Sequence, residues 1–541
     1  MSNQLFARKN LKALLAEAAG DNRLKRVLGP ITLTSLGVGA IIGAGIFVST
    51  GKAAAETAGP ALMISYVIAG VTCIFAAMCY AEFASMAPVA GSAYTYAYCT
   101  MGELFAWIIG WDLVLEYAVG SATVANGWSS YFQAVLKKTG YHIPELFSSA
   151  PLKFDEATGH FMTTGSYVNL PAVLIVFVIT LVLIKGISES ASFNALMVGI
   201  KVAAVLFVIG VGAFYIDPAN WTNDFAPFGY GGFSFFGVEE LTLGQVVGGR
   251  PAGVLAGAAI IFFAYIGFDS VSTHAEEAKN PQRDVPIGII ASLVICTILY
   301  IAVVAVLTGM VPYQTIDKGA GVSSAFKGVD LGWAEVIINV AGVAGITSVL
   351  LVMMLSGPRV FLAMARDGLV PTKFFADVHP KYKTPWKSTI AIGLFVSIMA
   401  GMLPIDALLE LANIGTLFAF CIVCGAVLIM RKTNPGAERP FRCPLVPVVP
   451  ILGILFCLVL MLSLPAGNWI RLIVWLGLGL IIYFCYGKSH STLGKELKLG
   501  TAFVHAAGTS GGGFVPRTGP SPHAKDIEPD RRGTQERPDA K

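Results

Sequence analysis

The feature that most constrains this chain is the recurrence of long apolar blocks. Leu104–Gly127, Leu170–Ile184, Ala252–Thr273, Ile287–Thr308, Val336–Leu355 and Trp469–Tyr486 each run with at most a few ionisable residues. A bilayer hydrocarbon core about 30 Å thick is crossed by roughly 20 such residues in a helix. Blocks of this length exceed a strand, and they are too numerous for one buried core helix each. Composition agrees. Of 541 residues 55% are apolar and 13% charged, against roughly 25% charged in an ordinary soluble domain. The sequence therefore predicts an all-α polytopic membrane protein with about twelve transmembrane helices. The expected spans are Ile31–Ala55, Ala61–Ala87, Gly102–Tyr131, Tyr167–Ile187, Ser188–Tyr215, Ala252–His274, Val285–Val311, Trp333–Phe361, Lys387–Leu403, Ala407–Met430, Pro447–Leu464 and Trp469–Tyr486.

Charge sets the orientation. With the N-terminus inside, cytoplasmic segments hold about 22 Lys and Arg and outside loops about eight. The loop after span 8 alone carries Arg359, Arg366, Lys373, Lys381, Lys383 and Lys387. Both termini are expected in the cytoplasm, and the protein in the plasma (inner) membrane. Residues 1–30 read as an amphipathic cytoplasmic arm with Arg8, Lys9, Lys12, Arg23, Lys25 and Arg26, residues 31–490 as the transmembrane domain, and 491–541 as a mostly disordered tail. The outside segments Phe132–Ser166 and Ile216–Pro251 are long for loops and suit short surface helices or a cap. The first 29 residues hold no apolar signal region, so no cleavage is expected.

Several function classes fall away. The net charge of +4 is mild and no basic stripe is present, so nucleic acid is not a partner. The nine cysteines are scattered and most lie inside spans, which is no disulfide framework. Cys421 and Cys424 form a C-x-x-C within an apolar helix and read as small membrane residues rather than a redox or metal pair. No zincin, P-loop or nucleophile-elbow motif is present. Neither a cofactor nor a metal is expected, and the chain does not read as an enzyme.

Two stretches carry functional information. Gly37-Val-Gly39-Ala-Ile-Ile-Gly43-Ala-Gly45-Ile-Phe47 places four glycines in nine residues of span 1. Each weakens a helix by about 1 kcal/mol relative to Ala. Non-helical backbone at membrane depth is tolerated where it lines a cavity or is buried in protein. A break exposes N–H groups and the positive dipole end of a second half-helix, which suit a carboxylate. Close packing through small residues is the competing reading. The second stretch, Phe262-Phe263-Ala264-Tyr265-Ile266-Gly267-Phe268-Asp269-Ser270 in span 6, combines a glycine, aromatics and a mid-span carboxylate. Interruptions five spans apart point to an inverted-repeat transporter with its site at the midplane.

These segments, with YAEFASMAPVAGSAYTYAY, FFAYIGFDSVSTHAEEAKNPQRDVPIGI and RVFLAMARDGLVPTKFFADVHPKYKTPWKST, resemble the amino acid–polyamine–organocation superfamily, and within it the cationic amino acid transporter family and its bacterial relatives. The likeness covers about residues 25–490. It implies a five-plus-five inverted repeat with broken helices 1 and 6 and two additional helices. It also implies an amino acid substrate, cationic or small and neutral. By resemblance, the N–H groups of Gly43, Ala44 and Gly45 bind the α-carboxylate. The carbonyls of Ile41, Phe263, Ala264 and Ile266 meet the α-amino group, with Phe263 at the aromatic gate position.

Lys201 lies near the middle of span 5 among apolar and small residues. A lysine there costs about 3 kcal/mol on insertion scales. Desolvation disfavours its charged form, which makes it a candidate proton carrier. In proton-coupled relatives such a lysine resembles a substitute for a sodium ion, and its ammonium would reach carbonyls near Gly39 and Ile42, with Thr347 and Ser348 bordering. A structural cation joining spans 1 and 5 is the alternative. Glu82, Asp112, Glu116 and Glu410 are further intramembrane acids, with Asp269. Glu116 either faces a substrate side chain or bonds between helices. Glu82, Glu276, Glu277, Arg283, Arg359, Arg366 and Asp367 are candidates for a cytoplasmic salt-bridge gate, and Asn280-Pro281 and Pro286 for the punctuation of the turn between spans 6 and 7. The expected function is secondary transport by alternating access, proton-coupled and sodium-independent, with the proton as coupling ion and the lipid bilayer as surroundings. An exchanger or facilitator, a proton-pumping enzyme subunit and a solute sensor are the competing readings.

Overall fold

Among the described residues, helices, two of them broken, lie in each of the segments expected to be apolar spans, in a computed structural model that describes residues 4–10, 28–87, 92–155, 160–185, 190–236, 238, 241–247, 250–317, 319–382 and 384–499. They are α1 (Pro30–Ile41, continuing as 45–58), α2 (Leu62–Met86), α3 (Glu103–Lys138), α4 (Leu170–Lys185), α5 (Ser190–Gly212), α6 (Val254–Ile261 with Ser270–Thr273), α7 (Pro281–Met310), α8 (Gly332–Arg366), α9 (Trp386–Met402), α10 (Ile405–Thr433), α11 (Val448–Leu462) and α12 (Ala466–Ile482). Among the described residues, eight helical stretches are long and apolar enough to cross a membrane, the first of them running through α1 and α2. Three shorter apolar helices, α4, α9 and α11, accompany them. The chain is an integral, multi-pass membrane protein. Lys12, Arg23, Lys25 and Arg26 of the expected N-terminal arm, and the tail from residue 500, lie outside the described residues.

Local chemistry accounts for several boundaries. Pro30 and Pro281 open α1 and α7 at the first helical position, where a missing N–H costs nothing. Pro286 lies inside α7 and not in the turn before it. It falls early enough that its ring removes only one bond of the ladder. Helix α3 runs 36 residues and extends past the expected span at its C-terminal end, closing on Lys137 and Lys138, which oppose the negative helix end. The long segments after α3 and α5, expected on the outside, fold partly as antiparallel hairpins. Leu152–Asp155 pairs with His160–Thr163, and Gln245–Val247 with Arg250–Ala252.

Packing sorts the helices into two groups. Helices α1, α2, α6 and α7 pack on one another, and so do α3, α4, α8 and α9. Helix α5 touches α1, α7 and α8, and α10 touches α2 and α3, so these two span both groups. The cysteines of α2 and α10 that look scattered in sequence converge. Cys79 neighbours Cys424 and Cys443, and all are free thiols.

The expected cytoplasmic cluster divides into separate sites. Glu82 turns away from α6 and α8 and receives the Arg431 guanidinium in a two-pronged contact, Nε to Oε1 at 2.9 Å and Nη2 to Oε2 at 2.8 Å. The Cys443 N–H donates to Oε2 at 2.8 Å and Arg439 Nε lies 3.2 Å from Oε1. Glu82 thus clips the loop after α10 onto α2. Glu277 meets Arg359 at 3.7 Å, and Asp367 takes Lys9 and the Tyr94 hydroxyl, both at 2.7 Å. Arg283 and Arg366 are exposed. Sequence position alone could not separate these sites, because all fall near one end of their helices.

Removing one member of a buried pair strands the other charge, at about 3–5 kcal/mol. Glu82→Ala should therefore lower the apparent melting temperature of the detergent-solubilised protein by several degrees or more. An unchanged melting curve would show that the clip contributes no stability.

Candidate functional site

Helix α1 stops at Ile41. Ile42 adopts an extended conformation (φ −70°, ψ 104°), the chain bends through Gly43, and wide π-type turns begin at Gly45. Helix α6 tightens at Phe262–Tyr265, turns through 266–269 and restarts at Ser270. The two breaks meet. A Cβ on Gly45 would stand 2.2 Å from Ala264 Cα. Gly267 (φ +117°) approaches from the other side, where a Cβ would stand 2.8 Å from the Ala40 carbonyl oxygen. Only glycine allows both approaches, the second also because its φ disfavours any side chain.

A break strands polar backbone groups, and their partners identify the site. Lys201 is fully buried, and its ammonium donates to the carbonyls of Gly39 and, at 3.0 Å, Ile42. Helix α5 thereby supplies a positive charge to the carbonyl end of the first half of α1. The Tyr300 hydroxyl of α7 reaches the carbonyls of Ile41 at 2.9 Å and Ala264 at 3.1 Å. Asn413 of α10 donates its amide to the carbonyls of Ala259 (2.9 Å) and Ile260 (3.1 Å) just before the α6 break. The Phe263 carbonyl accepts the Ile266 N–H at 3.2 Å, and the Phe263 side chain is buried. Beyond the α1 break, the N–H groups of Gly43, Ala44 and Gly45 begin a new helical segment and, among the described residues, make no backbone bond outside it. They are donors at a positive dipole end.

A second feature faces the same region. Asp112 and Glu116 of α3 and Asp269 of the α6 turn are all buried. Glu116 neighbours both aspartates, and Asp112 lies against Gly415 of α10. The Tyr117 hydroxyl donates to Asp269 Oδ2 at 2.5 Å. The other Asp269 oxygen and both oxygens of Asp112 and Glu116 have no hydrogen-bond partner among the described residues. Buried carboxylates without a counter-charge are costly as anions. Protons or a cationic ligand must neutralise them.

The remaining expected residues are placed as follows. Ile41, Gly43, Ala44, Gly45, Phe263, Ala264 and Ile266 all lie at the two breaks. The Thr347 hydroxyl accepts the Trp128 indole N–H (2.8 Å) and donates to the Val343 carbonyl (2.7 Å). The Ser348 hydroxyl is buried without a partner among the described residues, one turn from Gly345, whose position packs on the Lys201 stem. Glu410 lies 3.8 Å from Arg471. Sequence reasoning missed Tyr300 and Asn413, and the pair Lys52–Asp406 at 2.6 Å that joins α1 to the start of α10. A polar amide in mid-span was a usable signal for Asn413. A lone tyrosine in an apolar span carries none.

Comparison with known proteins places this geometry in context. Residues 28–485 match the family described as amino acid permease. The chain is 46% identical to the branched-chain amino acid permease BcaP of Bacillus subtilis, over 92% of this chain and all of that protein. It is 43% identical to a methylthioribose transporter of the same organism, over 91% of this chain and all of that protein. It is 31% identical to the vacuolar cationic amino acid transporter 4 of Arabidopsis thaliana, over 92% and 98% of the two chains.

Gly45→Ala tests the meeting of the breaks. The new methyl group must push α1 from α6, an overpacking that costs about 1–3 kcal/mol. The variant should still elute as a monodisperse protein and should lose substrate uptake. Uptake at the parent rate would mean that the approach of Gly45 to Ala264 does not shape the site.

Proposed function

The chain belongs to the amino acid permease family, a family of transporters, and from that premise we propose that it is a proton-coupled, sodium-independent amino acid carrier working by alternating access. The observation that carries this reading is the Lys201 ammonium on the Gly39 and Ile42 carbonyls. Carbonyl oxygens at a helix break are the ligand type a hard cation takes. A lysine there supplies the charge from within the protein. Unlike a metal ion, it can lose its charge by losing a proton.

In this reading α1 to α12 all cross the plasma membrane, α1–α5 and α6–α10 form the inverted repeats, α11 and α12 are additional, and both termini are cytoplasmic. The substrate carboxylate meets the N–H groups of Gly43, Ala44 and Gly45, and its ammonium meets the carbonyls of Ile41, Phe263, Ala264 and Ile266. These are backbone contacts and recognise what all amino acids share. Selection falls to the side-chain end, where Glu116 and Asp269 stand, so cationic and small neutral amino acids are the proposed substrates. The name of one relative adds branched-chain amino acids to the candidates, and that of another adds a thioether sugar that has neither carboxylate nor ammonium. Lys201 alternates between charged and neutral. Charged, it holds the end of α1; neutral, it releases that end, and the α1–α2–α6–α7 group rocks against α3–α4–α8–α9. Exchange and facilitated diffusion are the competing modes within the same class.

Proteoliposome uptake of labelled amino acids, with methylthioribose as comparator, tests the class of substrate. Amino acids should be taken up and methylthioribose should not; the reverse would overturn the assignment. Lys201→Ala should keep substrate binding and lose stimulation by an inward proton gradient, whereas undiminished stimulation in a folded variant would pass the proton role to the acidic cluster. Glu116→Gln should weaken arginine uptake more than alanine uptake. Equal loss of both would make Glu116 structural.

A further inference from the structure

Tyr300 stands where the proposed substrate ammonium would bind. Its side chain is fully buried and projects from α7 to carbonyls of both breaks. Its hydroxyl meets the Ile41 carbonyl, the last of the first half of α1, and the Ala264 carbonyl at the α6 break. These are two of the four carbonyls assigned above to the α-amino group. One hydroxyl has one hydrogen to donate, so the two carbonyls share it. Without that donor, both would be unpaired acceptors shut away from water.

Two neighbouring rings hold this ring in place. It packs edge-on against Tyr66 of α2 and Tyr265 of the α6 break, at centroid distances of 5.5 and 5.6 Å. The Tyr265 hydroxyl is occupied by the Tyr66 carbonyl at 2.8 Å, and the Tyr66 hydroxyl by Thr50 at 2.7 Å. The neighbouring tyrosines therefore do not compete for the two carbonyls. Tyr300 is the donor aimed between the breaks.

We infer that Tyr300 is a stand-in donor for the empty carrier: its hydroxyl satisfies the Ile41 and Ala264 carbonyls when no substrate ammonium does. This rests on the assignment of those carbonyls to the substrate. An ammonium brings three donors and a positive charge, so it outcompetes one neutral hydroxyl when it arrives. After substrate leaves, the hydroxyl returns and both breaks remain satisfied while the empty carrier reorients. The residue acts through the carbonyls and positions them; it is not part of the substrate's own contact set. Its consequence is kinetic. Net uptake needs the empty carrier to return, whereas exchange of labelled for unlabelled substrate does not.

Tyr300→Phe removes the hydroxyl and keeps the ring. Measured in proteoliposomes, net uptake should fall roughly tenfold, the effect of orphaning a buried acceptor in the empty carrier. Exchange with substrate on both sides should stay within about threefold of the parent, as the loaded carrier keeps its donors. Substrate should also bind the purified variant more tightly, because binding now repairs the loss. Tyr66→Phe, which removes a hydroxyl of the same cluster away from the breaks, should move net uptake and exchange together. Three results would overturn the inference: an unchanged ratio of net uptake to exchange in Tyr300→Phe, weaker substrate binding, or the same split ratio in Tyr66→Phe. Failure of the parent protein to move any amino acid would instead defeat the transport reading beneath it, so the two failures are distinguishable.

Discussion

Everything distinctive in this structure follows from one constraint: backbone polar groups exposed by a helix break inside a membrane must find partners within the protein. The glycines of α1 and the 266–269 turn of α6 interrupt two helices at buried positions. The freed carbonyls then recruit donors from outside their own helices. Lys201 comes from α5, Tyr300 from α7 and Asn413 from α10. Each donor ties a different helix to the breaks, so the site and the relative placement of the helices have the same origin. Among the described residues, the freed N–H groups at Gly43, Ala44 and Gly45 make no backbone bond outside their own segment, which is the basis for proposing an anionic group there.

Charge is arranged around the same breaks. One buried cation faces the carbonyl end of the first half of α1. Three buried carboxylates, Asp112, Glu116 and Asp269, gather where α3, α6 and α10 meet. In a low-dielectric interior neither set is neutral in its effect. The lysine is compensated by carbonyl dipoles, while the Tyr117 hydroxyl bonds one oxygen of Asp269 and, among the described residues, the other carboxylate oxygens of the three acids have no geometric hydrogen-bond partner. A carrier whose substrate brings both a carboxylate and an ammonium, and whose cycle includes a proton, uses both sets of charge.

Much of this was legible in the sequence because it depends on local patterns. The apolar blocks gave the helices, and the glycine cluster of α1 gave its break, since propensity and membrane depth act on residues near each other in the chain. Lys201 stood out because a mid-span lysine is expensive anywhere. The partners of the breaks were not legible. Tyr300 and Ile41 are 259 residues apart, and Asn413 and Ala259 are 154 apart. Such pairings depend on how helices pack, and an apolar span shows no periodicity that marks which face meets which neighbour. For the same reason Glu82 was grouped with the charges of α6 and α8, although its partners Arg431 and Arg439 arrive with α10 and the loop after it.

The role proposed for Lys201 is that of a bound cation at a broken helix, so that protons and not sodium drive the cycle. It is tested most directly by following proton entry with a pH-sensitive dye trapped in proteoliposomes, in sodium-free buffer, on addition of a transported amino acid. Internal acidification should track substrate uptake and stay unaltered when sodium is added. Substrate uptake without acidification, or acidification only when sodium is present, would contradict it.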